Sequence, residues 1–417
     1  MAEYKKTGRT GRRKSAALKM EQENKELEQA VNKNHRRKKN HLKVVKVKKP
    51  SKLKPVVILL LILLVSYLFL YYNAKAPTGL VEWAQSSIAL MGEGKGFPQT
   101  VSGGSLQNIY SGENQILILS ETTLASYNHN GKLVYNRQHG YANPVVETSK
   151  SRTLIYDRAG KSYRIENPDR TLTSGKCDNV ILAGSIGDNG TYAFINRSRG
   201  YTAEFTVYSK DFKPIYKWSS AGSQLGCISV SPTGKQVAVA AIDAESAEFK
   251  SELLIFDLSK TEPISKTVFT KEFITSVNFV DKSNISVITD KQFIRVKNDG
   301  SGKKEYSFGD STLRKPSVQP KEGTLICLSA NNDDAMNQIL MFKDNGEKIC
   351  DFNFNKKLIS ADIFHDTIYI LSQNELFSYN LKGTQLKRWE VSADATKVKA
   401  QPKGVAVLFS ESINILK

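Results

Sequence analysis

The chain has 417 residues, 40% hydrophobic and 24% charged, with a formal net charge of +19 and a pI near 9.5. The basicity is local: residues 1–54 hold 19 Lys and Arg against five Glu, a net of +14 that leaves only +5 for the rest of the chain. A uniformly basic, nucleic-acid-binding chain is therefore excluded as the default reading, and four scattered cysteines without a CxxC pair exclude the usual paired-cysteine motifs.

In chain order, residues 1–15 are polar and poor in apolar groups, which predicts a disordered start. Residues 16–31 could form a short helix with Met20, Leu27 and Val31 at roughly heptad spacing, too short for a coiled coil of its own. Overall, residues 1–54 read as a basic, largely disordered tail. Its second half carries Arg36, Arg37, Lys38, Lys39, Lys43, Lys46, Lys48 and Lys49, a juxtamembrane run suited to an anionic lipid surface. It has no aromatic interleaving, which argues against nucleic acid.

Residues 55–74, PVVILLLILLVSYLFLYYNA, contain no charge. At about 1.5 Å of rise per residue they span roughly 30 Å, the thickness of a bilayer core. Ala74-Lys75-Ala76 has the form of a signal-peptidase site, yet the preceding region is long, the apolar run exceeds a signal core, and Pro77 follows. The expectation is an uncleaved single-pass anchor. The basic tail would lie in the cytoplasm and the larger C-terminal part outside.

Residues 75–96 read as a juxtamembrane helix, with Leu80, Trp83, Ser87, Ile88 and Met91 on one side, followed by the glycine-rich run 92–96. That run lacks P-loop spacing and is read as a flexible stalk.

Beyond it an internal repeat sets the fold. Tyr127, Ile165, Tyr208, Phe256, Val296, Phe342 and Tyr379 each precede a polar turn, at steps of 37 to 48 residues with a mean of 42. That is the length of one four-stranded propeller blade. Asn130-Gly131, Asp299-Gly300 and Asn345-Gly346 read as type I′ hairpins. In blade six the strands are expected at residues 314–319, 323–329, 338–343 and 348–353. Seven full units leave three C-terminal strands and one spare strand at residues 97–102, which together predict an all-β, eight-bladed β-propeller over residues 97–417 with its ends stitched in one blade. Seven blades is the alternative. On this scheme the four cysteines are too far apart to pair and are expected to be free thiols.

The hairpins beginning at Asn128, Phe342 and Asn380 resemble the Asp-x-x-x-Gly-x-x-x-Trp repeat of quinoprotein-like propellers, among them the scaffold lipoprotein of the outer-membrane assembly machine. Ser231-Pro-Thr-Gly-Lys235 is closer to propellers of the TolB and WD40 kind. The whole chain also resembles an uncharacterised family of single-pass proteins from Gram-positive anaerobes. Catalytic quinoproteins, by that resemblance, would hold a quinone with polar residues, calcium and a vicinal disulfide. Here there are no adjacent cysteines, and the repeat's Trp survives only at Trp218 and Trp389.

No cofactor or metal site is expected. His129, His139 and His365 lie outside ligand spacings, there is no Gly-x-Ser-x-Gly, and Asp333-Asp334 lacks the ligand pattern of a calcium loop. What remains is surface. The long loops between second and third strands carry Arg197 and Arg199, then Asp243, Glu245 and Glu248, then Asp333 and Asp334, charges of both signs that suit a protein or glycan partner. The expected function is non-catalytic binding or scaffolding at the cell envelope. A propeller enzyme with its site in the central channel is the alternative.

Overall fold

A computed structural model describes residues 10–39, 53–75, 78–243, 249–314, 317–319, 322–330, 333–402 and 404–417. The chain divides into two units, residues 1–69 and 70–417.

In the first unit, helix α1 spans Thr10–Lys39, so most of the described tail is helical where disorder and only a short helix were expected. Between Gly11 and Lys39 there is no Gly or Pro, and Lys, Glu, Gln, Arg and Ala are good helix formers even where nothing packs on them. The side chains of residues 19–33 are all exposed, and Glu21 pairs with Lys25 one turn on at 3.7 Å. Arg36, Arg37, Lys38 and Lys39 lie in the last turn of α1. Lys43, Lys46, Lys48 and Lys49 lie outside the described residues.

Helix α2, Leu53–Lys75, has 23 residues. Its described side chains, residues 56–69, are exposed throughout. Among the described residues no helix is long and apolar enough to cross a membrane.

The second unit holds an eight-bladed β-propeller. Seven blades are formed in chain order, over residues 106–138, 144–176, 181–220, 224–270, 274–307, 312–354 and 360–390; each is an antiparallel sheet whose strands pair in sequence order. The eighth combines Lys397–Gln401, Gly404–Leu408 and Ser412–Leu416 with Gln99–Thr100, which pairs with Ile413 and Ser412. In blade six the first strand is split into Thr312–Leu313 and Ser317–Gln319, a difference from the continuous strand expected.

Eight apolar clusters fill the ring, each joining two consecutive blades, and one of them packs Val101, Ile109 and Tyr127 against Ala406, Leu408 and Ile413 to close it. The repeat residues Tyr127, Ile165, Phe256, Val296 and Phe342 end third strands and are at most 4% exposed.

First strands line the centre, so one edge of each would face the channel unpaired. Side chains of the preceding blade serve that edge. Ser185 Oγ accepts from Val230 N (3.0 Å), Ser229 Oγ from Phe279 N (2.9 Å), and Asp362 Oδ2 from Ala400 N (2.9 Å).

The hairpins at Asn130-Gly131, Asp299-Gly300 and Asn345-Gly346 differ from type I′ turns. Only their glycines have positive φ (75°, 84° and 79°), and in the first and third the register shifts beside the turn. They are type I turns closed by a left-handed residue and a bulge. In blade three Phe212 takes that left-handed position at φ 66°.

All four cysteines are free. Cys177, Cys327 and Cys350 are buried, Cys227 half-buried. Burial pushes the Cys177, Cys227 and Cys350 thiols up to about 11 and Cys327 to about 12, away from thiolate reactivity.

Candidate partner-binding face

Strand order gives the ring two unlike faces. One carries the turns between first and second and between third and fourth strands. The other carries the second-to-third loops and the connectors between blades.

On the first face helix α3, Leu80–Leu90, lies over blades one and two. Arg152, in the first turn of blade two, donates from Nε and Nη2 to both carboxylate oxygens of Glu82 at 2.7 Å, and from Nη1 to the carbonyl of Lys210 at 2.6 Å. Thr78 and Ser151 hydroxyls meet at 3.0 Å. At the other end, Asn128 Nδ2 donates to the carbonyls of Leu90 and Gly92, and Lys132 Nζ to those of Ala89 and Met91. Helix-end carbonyls that would otherwise need water are thereby satisfied, and Lys132 places a cation at the negative end of the dipole.

The glycine run is no loose stalk. A Cβ on Gly94 would stand 2.0 Å from the Lys132 nitrogen, and one on Gly131 2.2 Å from the Gly96 carbonyl. Glycine is used here because two backbones touch.

The opposite loop face is free of α3. Arg197 and Arg199 stand exposed on the blade-three loop, Asp243 is half-buried at the end of a blade-four strand, and Asp333 and Asp334 are exposed on the blade-six loop. Glu245 and Glu248 lie outside the described residues. These positions share a face but not a pocket.

Asp334 is brought to a cleft by an ion pair with Arg314, whose Nη2 also donates to Ser329 Oγ at 3.1 Å. The cleft, about 290 Å³, lies between blades five and six and is lined by Thr275, Ser276, Asp290, Thr312, Leu313 and Arg314.

Four large apolar residues missed by the sequence reading are exposed on this face: Tyr201, Phe249, Phe273 and Met336. Phe249 and Phe273, from adjacent connections, stack at 6.0 Å, and Lys271 N donates to the Phe249 carbonyl. Their signal was present in the sequence as aromatic residues in polar loops. Elsewhere on the ring the exposed large apolar residues Leu133, Ile215, Val268 and Leu386 sit on outer fourth strands.

Glu147 was also missed. It lies on the first strand of blade two, half-buried, with no hydrogen bond or ion pair among the described residues. Burial pushes its carboxyl up to about 7. Asp362, the other carboxylate buried on a first strand, is instead paired with Lys399 at 3.3 Å.

A raised folded-state pKa means that Glu147 costs nothing below the unfolded value near 4.5, that stability falls as pH rises toward 7, and that the penalty is constant above. Glu147→Gln should therefore remove that slope and add up to about 3 kcal/mol at pH 8. Chemical unfolding of both proteins between pH 4.5 and 8 checks this; parallel curves would contradict it.

Among the described residues no three His, Cys, Asp or Glu side chains come together as a metal-binding group. The ring is similar to the C-terminal WD40 domain of Sif2, with a TM-score of 0.54 at 9% identity, covering 77% of this chain and 99% of that one. It is also similar to BamB from Moraxella catarrhalis, with a TM-score of 0.50 at 11% identity, covering 77% and 98%. At these identities the likeness is one of fold, and it does not extend to quinone binding. No curated protein matches the chain. Over residues 98–417 the chain matches the family of unknown function DUF5711 and belongs to that family.

Proposed function

We propose that this protein is a membrane-tethered, non-catalytic binding module whose loop face receives a protein partner outside the cell membrane. The observation that carries the reading is the distribution of exposed large apolar side chains. Away from the outer strands, those of the ring stand on the loop face, while α3 covers blades one and two on the opposite face. The likeness to WD40 and BamB propellers supplies the fold, a rigid ring whose loops are free to carry binding residues.

Charge adds specificity. Around Tyr201, Phe249, Phe273 and Met336, the face is basic over blades two and three, through Arg158, Lys161, Arg197 and Arg199. It is predominantly acidic over blades four to six, through Asp243, Asp290, Asp333 and Asp334. An apolar patch between opposite charges fixes the orientation of a partner as well as attracting it.

The tether in this reading is the uncharged run of residues 55–74, which as a helix would span roughly 30 Å, and the cations before it favour a cytoplasmic N-terminus.

Photocrosslinking residues placed at Ser198 and Ala335 in living cells should capture the same protein, and one at Ile215 on the rim should not. Arg197→Glu with Arg199→Glu should cut the yield about tenfold, as expected for oppositely charged contacts worth about 1.4 kcal/mol together, without changing Tm. Equal capture from the rim, or capture of glycan alone, would overturn the reading.

A further inference from the structure

Helix α3 is built unlike an ordinary helix on a protein surface. Glu82, on Arg152, and Ser86, its buried residue, face the ring, and Leu80, Trp83 and Leu90 are half-buried, so the apolar residues are divided between two sides. Val81, Ile88 and Met91 are 73%, 66% and 64% exposed. With Ala84 they fall at i, i+3, i+7 and i+10, one continuous apolar stripe along the outer side. The ring gains nothing from that stripe, because polar contacts at both ends of the helix hold it in place.

We infer that this stripe lies in the bilayer interface, making α3 an interfacial helix that beds one face of the ring on lipid. The inference rests on the reading of α2 as the membrane segment and extends it. Two observations select lipid as the occupant. Only residues 76–79 separate α3 from α2 in the chain, so any bilayer that holds α2 is within a few residues' reach of the stripe. The stripe is also too small for a second copy of the chain: 11 helical residues about 16 Å long and about 10 Å wide offer on the order of 160 Å² each, or about 320 Å² for a pair, far short of the roughly 1,200 Å² that a stable dimer buries, yet enough for interfacial anchoring beside an inserted helix. Lys or Arg usually forms the polar side of such a helix. In this protein the ring itself takes that place.

The consequence is a fixed presentation. With α3 strapped to the ring and its stripe in the interface, the loop face points away from the lipid.

The test uses the full chain in vesicles of phosphatidylcholine and phosphatidylglycerol, with Cys227→Ser so that the remaining native thiols are buried. An environment-sensitive dye is attached at Ile88→Cys or, as reference, at Ser198→Cys. Flotation reports α2 separately. The expected result is co-flotation, a blue-shifted Ile88 dye quenched by nitroxide lipid, and iodide quenching several-fold weaker there than at Ser198. A chain that floats but shows equal iodide quenching at both positions overturns the inference and leaves the tether intact. A chain that does not float overturns both. Shielding from iodide and nitroxide alike, rising with protein concentration, would assign the stripe to a second copy and also overturn it.

Discussion

Removing residues 97–103 should lower the melting temperature of the whole ring by on the order of 10 °C, in one cooperative step, and should not merely fray its first blade. The segment holds both ends of the ring. Gln99 and Thr100 pair with Ile413 and Ser412, Val101 N donates to the Glu411 carbonyl at 3.0 Å, and Val101 is buried against both blade one and blade eight. On the other side Thr123 Oγ1 donates to the Ser102 carbonyl, Thr122 Oγ1 to that of Gly103, and Asn136 Nδ2 to Ser102 Oγ. Deletion bares the edge of Ser412–Leu416 and empties part of a shared core, a loss of about 5 kcal/mol for a buried side chain and its ladder. A domain of this size converts that to roughly 2 °C per kcal/mol. Calorimetry on the shortened and parent proteins is the check, and identical melting would contradict the stitched ring.

The second large effect is expected at Arg152. Its side chain is 5% exposed and that of Glu82 14%, so Arg152→Ala leaves a largely buried carboxylate without its partner, a cost of about 3–5 kcal/mol. The same guanidinium covers the ring of Phe212 at 5.3 Å, the residue held in a left-handed conformation where other blades use glycine. The loss should appear locally: residues 78–96 should exchange amide hydrogens at least tenfold faster while blades four to eight are unchanged. Arg152→Lys should rescue only part, because an ammonium cannot make the paired contact to both oxygens. Hydrogen exchange read by mass spectrometry separates the outcomes, and unchanged protection over residues 78–96 would show that α3 is held by other contacts.

What the sequence revealed about this protein follows from which forces repeat along the chain. Third-strand residues such as Phe256 and Phe342 recur because every blade must fill the same gap against its neighbour, so spacing alone disclosed the eight-bladed ring. The loops bearing Arg197, Arg199, Asp333 and Asp334 were legible because they exceed tight-turn length. Their grouping was not, since Arg314 reaches Asp334 through the fold and not through sequence proximity. Glu147 was invisible for a similar reason: a single carboxylate among strand residues looks like any exposed acid until burial raises its pKa.

The glycine run at 92–96 was misread because glycine serves flexible linkers and close backbone contacts equally well, and only the position of Gly131 and Lys132 tells which. The turn types were misread because Asn-Gly fits a type I turn with a left-handed glycine as well as a type I′ turn, and the difference lies in the φ of the Asn. The helix at Thr10–Lys39 has good helix formers and, over the described side chains of residues 19–33, no buried one, which a pattern search for apolar periodicity overlooks.

The proposed placement of the ring, outside the membrane with its loop face away from the lipid, is read by impermeant thiol labelling of intact cells stripped of their wall. The account predicts that Ser198→Cys on the loop face reacts at once and that Ser15→Cys in the tail reacts only after lysis. Labelling of Ser15→Cys in intact cells with Ser198→Cys protected would contradict it.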